Sequence, residues 1–193
     1  MTTPLPRSAI STLFQTFLLL ALAAPVLADA KPPAVGEEAK DFALPALSGN
    51  AVKLSTLTDT APVVLVVLRG YPGYQCPYCT KQFGEFMAKA DELKKTGATV
   101  VFIYPGPSDK LKEHADEFVN QKALPDHFRL LLDPDYSFTN AYGLRWDAKN
   151  ETAHPATFVI DNKRQVVYAK VSKGHADRSN VADVVAAVGA IKK

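Results

Sequence analysis

The sequence predicts an α/β fold in which a central mixed β-sheet is flanked by helices on both faces. Three observations predict it. Pro62 to Leu68 is a continuous apolar, β-branched run, the pattern of a strand buried on both faces. Phe83, Phe86, Met87, Ala90 and Leu93 then recur at helical spacing and mark one apolar helix face. Toward the end, Thr157 to Ile160 and Gln165 to Val171 flank Asp161-Asn162-Lys163-Arg164, a hairpin signature. A β-α-β start with an antiparallel finish gives a mixed sheet.

The elements follow in order. Residues 29–40, with Lys31-Pro32-Pro33-Ala34-Val35-Gly36, read as a linker-like entry, and residues 41–193 as the folded domain. Asp41 to Leu47 is extended, Ser48-Gly49-Asn50 turns, Val52-Lys53-Leu54 alternates, and Ser55 is placed to cap a brief turn. After the Pro62 to Leu68 strand, Arg69 to Gln75 breaks into a loop carrying two glycines and a proline. Cys76 to Lys95 reads as one helix with Pro77 in its first turn, where a missing N–H costs nothing. Ala98 to Tyr104 is a second apolar strand, ended by Pro105-Gly106-Pro107. Ser108 is a candidate cap for a helix carrying Leu111, Ala115, Phe118 and Val119. Arg129 to Leu132 forms a short strand, and Asp133-Pro134-Asp135 turns the chain into a short helix ending near Gly143. The last helix carries Val181, Val184, Val185, Val188 and Ile191.

Composition bounds the function. The 193 residues are 47% hydrophobic and 22% charged, ordinary for a globular chain and too apolar for disorder. A net charge of +2, with no basic block, gives no reason to expect nucleic acid or acidic lipid as a partner. Residues 1–28 differ in kind. Arg7 precedes an apolar run, Leu13 to Ala24, and Val26-Leu27-Ala28 offers small-to-moderate residues where a signal peptidase reads. This is a secretory signal pattern, with cleavage expected near Ala28 or Ala30. The run is short of the roughly 20 apolar residues a spanning helix needs, so cleavage is favoured over retention as an anchor. The mature chain is expected to be exported, most simply into a bacterial periplasm, with no stable membrane insertion afterwards.

The chain has two cysteines, Cys76 and Cys79. A loop this short removes little unfolded-state entropy, so the pair is not a structural staple. Zinc needs four ligands, and the four histidines (114, 127, 154 and 175) are scattered, so no metal is expected. No cofactor is expected either, because two sulfurs can carry redox chemistry alone. They stand between a buried strand and a helix N-terminus, where free N–H groups favour thiolate. Cys76 and Cys79 are therefore the candidate catalytic residues, able to close a redox-active Cys76–Cys79 disulfide. Cys76, earlier and expected to be the more exposed, is the nominee for disulfide exchange. Pro155 opens a strand, and a cis bond there would leave a free backbone edge beside the sulfurs for an extended substrate. Arg69, at the end of the central strand, is read as either a surface residue or a cation serving the site.

From about Pro33 onward the chain resembles the alkyl hydroperoxide reductase / thiol-specific antioxidant (peroxiredoxin-like redoxin) branch of the thioredoxin superfamily. Val35-Gly36, Asp41-Phe42-Ala43-Leu44, Pro62 to Gly70, Cys76 to Cys79, Asp133-Pro134-Asp135, Ala141-Tyr142-Gly143 and Pro155 to Asp161 carry the resemblance. It implies a thioredoxin-like fold and a thiol peroxidase reducing hydroperoxides with a thioredoxin-type reductant. Cys-Pro-Tyr-Cys itself looks like a glutaredoxin motif, and Pro155 matches the cis-proline of thioredoxin-like proteins. These features leave an exported oxidoreductase acting on protein disulfides as the alternative. The peroxiredoxin frame Pro-x-x-x-Thr/Ser-x-x-Cys maps onto Pro72 to Cys79, with Cys76 in the Thr place and Cys79 in the peroxidatic place. Family logic thus nominates Cys79 for peroxide. The family's arginine, three residues before the Phe of its closing strand, is replaced here by Pro155, which leaves Arg69 to be considered as a substitute in space.

Overall fold

The computed structural model describes Met1 and residues 30–191. In chain order the strands are β1 (Ala43–Pro45), β2 (Ala51–Lys53), β3 (Val63–Val67), β4 (Thr99–Gly106), β5 (Phe128–Pro134), β6 (Ala156–Ile160) and β7 (Val166–Val171). The helices are α1 (Leu54–Thr58), α2 (Pro77–Ala88), α3 (Ala90–Thr96), α4 (Leu111–Val119), α5 (Ser137–Ala141) and α6 (Val181–Gly189). Residues 2–28, on which the signal-peptide expectation falls, lie outside the described part. No helix among the described residues is long and apolar enough to cross a membrane.

The main sheet has the order β5-β4-β3-β6-β7. β3, β4 and β5 are parallel, whereas β6 runs antiparallel to both β3 and β7. The apolar run of β3 is central, and every one of its residues is buried because both faces are covered. On one face Val64, Val66, Val100 and Phe102 meet apolar residues of α2, α3, α4 and α6. Phe102 is the centre of this layer, with edge contacts to Phe83 at 5.1 Å and Phe86 at 5.6 Å between ring centroids. On the other face Leu65, Ile103 and Phe158 meet Leu54, Phe138 and Tyr142. The predicted mixed sheet, the parallel start and the closing hairpin are all present.

Several boundaries differ from expectation. The helix predicted over Cys76–Lys95 is two helices, α2 and α3, because the backbone leaves the helical range at Lys89 (φ −106°, ψ 14°). No proline or glycine marks the break, and Phe86 and Leu93 both still reach the core across it. β4 runs through Pro105 and Gly106 rather than ending before them, because both register against β5. Ser108 does not cap α4 with its side chain; α4 starts after Lys110 in a left-handed conformation. Ser55 does not cap either, since the N–H of Ser55 is met from a distance by the Asp41 carboxylate. The entry is not a free linker. Gly36, Glu37 and Ala39 exchange backbone hydrogen bonds with Arg164 and Val166, and Ala39 is fully buried.

Candidate active site

The β3–α2 connection builds the site. Leu68 still pairs with Ile103, and Gly70 then takes a left-handed φ of +79°. A Cβ at this position would run into the Pro105 carbonyl of β4, so the close approach of the two strand ends requires glycine. Gln75 fixes the other end of the loop. Its carbonyl oxygen accepts from the Tyr104 hydroxyl at 2.9 Å, and its NH2 donates to the His114 carbonyl at 2.8 Å. Burial pushes the Tyr104 phenol well above its ordinary value, so it keeps the proton it donates. Cys76 is therefore held by β4 and α4 on one side and by α2 on the other.

Cys76 is the N-cap of α2, and Pro77 follows at the first helical position. The Cys76 Sγ accepts the backbone N–H of Cys79 at 3.4 Å, as a capping side chain does. Cys79 Sγ accepts the backbone N–H of Arg69 at 3.2 Å. Both residues are only 1% exposed at the surface, and Cys79 lies the deeper of the two in the packing. Both are free thiols close to one another. What separates them is electrostatic. The Cys79 S–H, the Cys79 backbone N–H and the charge of Arg178 outweigh burial and hold the Cys76 thiol down, at about 5. Burial and the neighbouring Cys76 push the Cys79 thiol up. The pair therefore carries one negative charge, on Cys76, with the shared proton on Cys79.

Arg69 is not a surface residue. It is 2% exposed, and its guanidinium donates to Glu151 at 2.7 Å, the Tyr74 hydroxyl at 2.9 Å and the Asn150 carbonyl at 2.7 Å. Its closest service to the sulfurs is the backbone N–H on Cys79, and its side chain is the least of the groups that lower Cys76. Pro155 lies one position beyond the Val67–Ala156 pair. Among the described residues there is no cis peptide bond, which corrects the expectation at His154–Pro155. The Pro155 carbonyl accepts from the Ser172 N–H at 2.8 Å, so this edge is already paired. The reason is that β6 is an interior strand with neighbours on both sides. His154 is half-buried and stacked on Trp146, with ring centroids 4.5 Å apart.

Sequence reasoning missed the cation that does face the sulfurs. Arg178, in the segment between β7 and α6, places Nη2 3.6 Å from Cys79 Sγ and 3.9 Å from Cys76 Sγ. Its only advance signal was the need of a buried thiolate for a countercharge. Arg178 also lines a groove of about 550 Å³ between α2 and the start of α6, together with Tyr78, Gln82 and Asn180. Among the described residues no three His, Cys, Asp or Glu side chains converge as metal ligands.

The sequence model described as the AhpC/TSA family matches residues 35–169. The chain belongs to the AhpC/TSA family. A Coxiella burnetii protein named as a bcp peroxiredoxin is 32% identical over 159 residues, spanning 78% of this chain and 95% of its own. Among solved structures, peroxidoxin BcpB from Mycobacterium tuberculosis is 27% identical with a TM-score of 0.65, covering 82% of this chain and 98% of that one. A Chlorobium tepidum structure named as a thiol:disulfide interchange protein DsbE is 26% identical with a TM-score of 0.60, covering 81% and 99%. This AhpC/TSA chain is thus a peroxiredoxin-like member of the thioredoxin superfamily, and its mixed sheet is the thioredoxin-like fold. Both types of neighbour share its architecture, so the distinction between them must come from the site.

Proposed function

We propose that this protein is an exported thiol peroxidase whose Cys76 thiolate attacks hydroperoxides and whose Cys79 resolves the product. The observation that carries the reading is the Cys76 sulfur at the N-terminus of α2, accepting the Cys79 N–H beside the Arg178 guanidinium. The thiolate attacks the terminal peroxide oxygen and the O–O bond breaks. The alkoxide leaves, takes a proton and becomes an alcohol, while Cys76 becomes a sulfenic acid. Cys79 then attacks the Cys76 sulfur. Its proton leaves with the hydroxyl as water, and a Cys76–Cys79 disulfide forms. A thioredoxin-type dithiol returns both sulfurs to thiols and is itself oxidised. The antioxidant role follows from the peroxide consumed. This order reverses the family frame, in which Cys79 holds the peroxidatic place.

The test is mass spectrometry of wild type, Cys76→Ser and Cys79→Ser after one equivalent of peroxide, alongside peroxide consumption coupled to a thioredoxin system. We expect a sulfenic acid on Cys76 in Cys79→Ser, a disulfide in wild type, and turnover well above that of a free dithiol. Oxidation confined to Cys79 would restore the family order, and turnover no better than the free dithiol would sink the peroxidase reading. The second reading, disulfide exchange with proteins, is favoured by Pro155 in the place of the family arginine and by the likeness to the interchange protein. It predicts that Cys79→Ser captures protein partners as mixed disulfides through Cys76 in the same set of variants.

A further inference from the structure

We propose that Arg178 is the catalytic cation of this site, taking over from the segment before α6 the task that the family assigns to an arginine on the closing strand. The proposal rests on the reading of Cys76 and Cys79 as the reacting pair. At the family position stands Pro155, which has no side-chain donor. The nearest cation in sequence, Arg69, spends its guanidinium on Glu151, Tyr74 and the Asn150 carbonyl. Arg178 is arranged differently. Its Nε donates to the His175 carbonyl at 2.7 Å, and its Nη1 donates to Gln82 Oε1 at 3.0 Å. Gln82 is 3% exposed on α2, one turn beyond the cysteines, so the guanidinium is gripped by the same helix that carries them. Nη2 is left for the sulfurs and straddles both.

Two further anchors hold the segment. Asp177 pairs with Lys170 of β7 at 2.5 Å and accepts the Lys173 N–H at 3.1 Å. Asn180 caps α6 by accepting the Ala182 N–H at 2.8 Å. Arg178 thus sits between a tethered turn and a capped helix. A planar fork with three separate partners is something a lysine cannot reproduce. Because one nitrogen reaches both sulfurs, the same cation can neutralise the thiolate before attack. It can also stay beside the charge as it passes to Cys79 during disulfide formation. Gln82 is then a positioning residue, acting on the sulfurs through Arg178.

The proposal is tested by the pH dependence of Cys76 itself, which needs neither peroxide nor reductant. In the reduced full-length protein, thiolate absorbance at 240 nm and iodoacetamide alkylation are followed against pH. The variants are Arg178→Gln, Arg178→Lys, Gln82→Leu and, as a remote charge control on exposed α3, Lys94→Gln. Arg178→Gln is expected to move the Cys76 midpoint upward by about one unit or more, which removes roughly half of the thiolate near pH 6 and approaches a tenfold loss at about pH 4 and below. Arg178→Lys should restore part of that loss, Gln82→Leu should give a smaller shift of the same sign, and Lys94→Gln none. Peroxide turnover should fall with the thiolate fraction in the same order. A titration of Arg178→Gln that overlays wild type, or an equal shift in Lys94→Gln, overturns the proposal. If Arg178→Gln does not fold by circular dichroism, the comparison of Arg178→Lys with wild type decides it, an unchanged midpoint counting against. Wild-type turnover no better than that of a free dithiol, with the expected titrations in every variant, would instead count against the peroxidase reading alone.

Discussion

At the residue scale the two sulfurs differ by what surrounds them, since their surface exposure is the same. Cys76 receives the Cys79 N–H and faces Arg178, while Cys79 keeps its proton in an apolar setting against β3. The folded-state value of Cys76, about 5, lies below the ordinary 9.0 of a thiol. The thiolate therefore stabilises the reduced folded chain fully above the unfolded value, and that contribution is lost as pH falls through about 5. We expect the rate of Cys76 alkylation in Cys79→Ser to follow a single titration, still high at pH 7. Its midpoint should lie above that of wild type, because the Cys79 S–H is the largest of the groups that lower Cys76. An unchanged midpoint would show that the N–H groups and arginines suffice without the second thiol.

At the scale of elements, the site depends on two strand ends meeting without side chains between them. Gly70 turns the chain from β3 toward α2 with a positive φ, and its α-carbon lies against the Pro105 carbonyl at the end of β4. An alanine there meets a left-handed backbone penalty of roughly 1–2 kcal/mol and the carbonyl as well. Gly70→Ala is expected to cost about 2 kcal/mol or more in urea unfolding. It should also push the Cys79 thiol further up, because the shift carries away the Arg69 N–H that lowers it. A stability loss with an unchanged Cys79 titration would mean the loop absorbs the displacement before it reaches the sulfurs. The split between α2 and α3 belongs to the same scale. No residue type announces it, yet it leaves the first helix at twelve residues with its N-terminus on the cysteines.

At the scale of the whole molecule, the sheet is closed by segments far apart in sequence. The entry around Gly36 to Ala39 pairs beside β7, and Gly143 packs against the backbone of Ala30 and Lys31. A chain beginning at residue 41 loses these bonds and takes Ala39 out of the core cluster that includes Phe158 and Val166. We expect it to melt several degrees below a chain beginning at residue 30, since about 1 kcal/mol corresponds to roughly 2–4 °C at this size. Equal melting temperatures would return residues 30–40 to the status of a linker. The C-terminal segment matters for a different reason, because it carries Arg178 back to the cysteine motif, 99 residues after Cys79.

The sequence by itself determined the sheet and the dithiol. Apolar β-branched runs have nowhere to go but the interior, the Phe83 to Leu93 spacing selects a helix, and Cys76-Pro77-Tyr78-Cys79 at a strand-to-helix junction has few uses besides redox chemistry. These are local regularities, set by burial and by backbone geometry over a few residues. Tertiary structure decided which cation serves the sulfurs, how the pair shares its charge, and whether Pro155 offers a free edge. Each of those depends on distances between residues remote in sequence: Arg178 to Cys76, Arg69 to Glu151, Pro155 to Ser172. Electrostatic influence falls off over a few ångströms of space and takes no account of chain separation. Arg69 is near in sequence but holds Glu151, Tyr74 and the Asn150 carbonyl, whereas Arg178 stands beside the sulfurs because the fold brings it there.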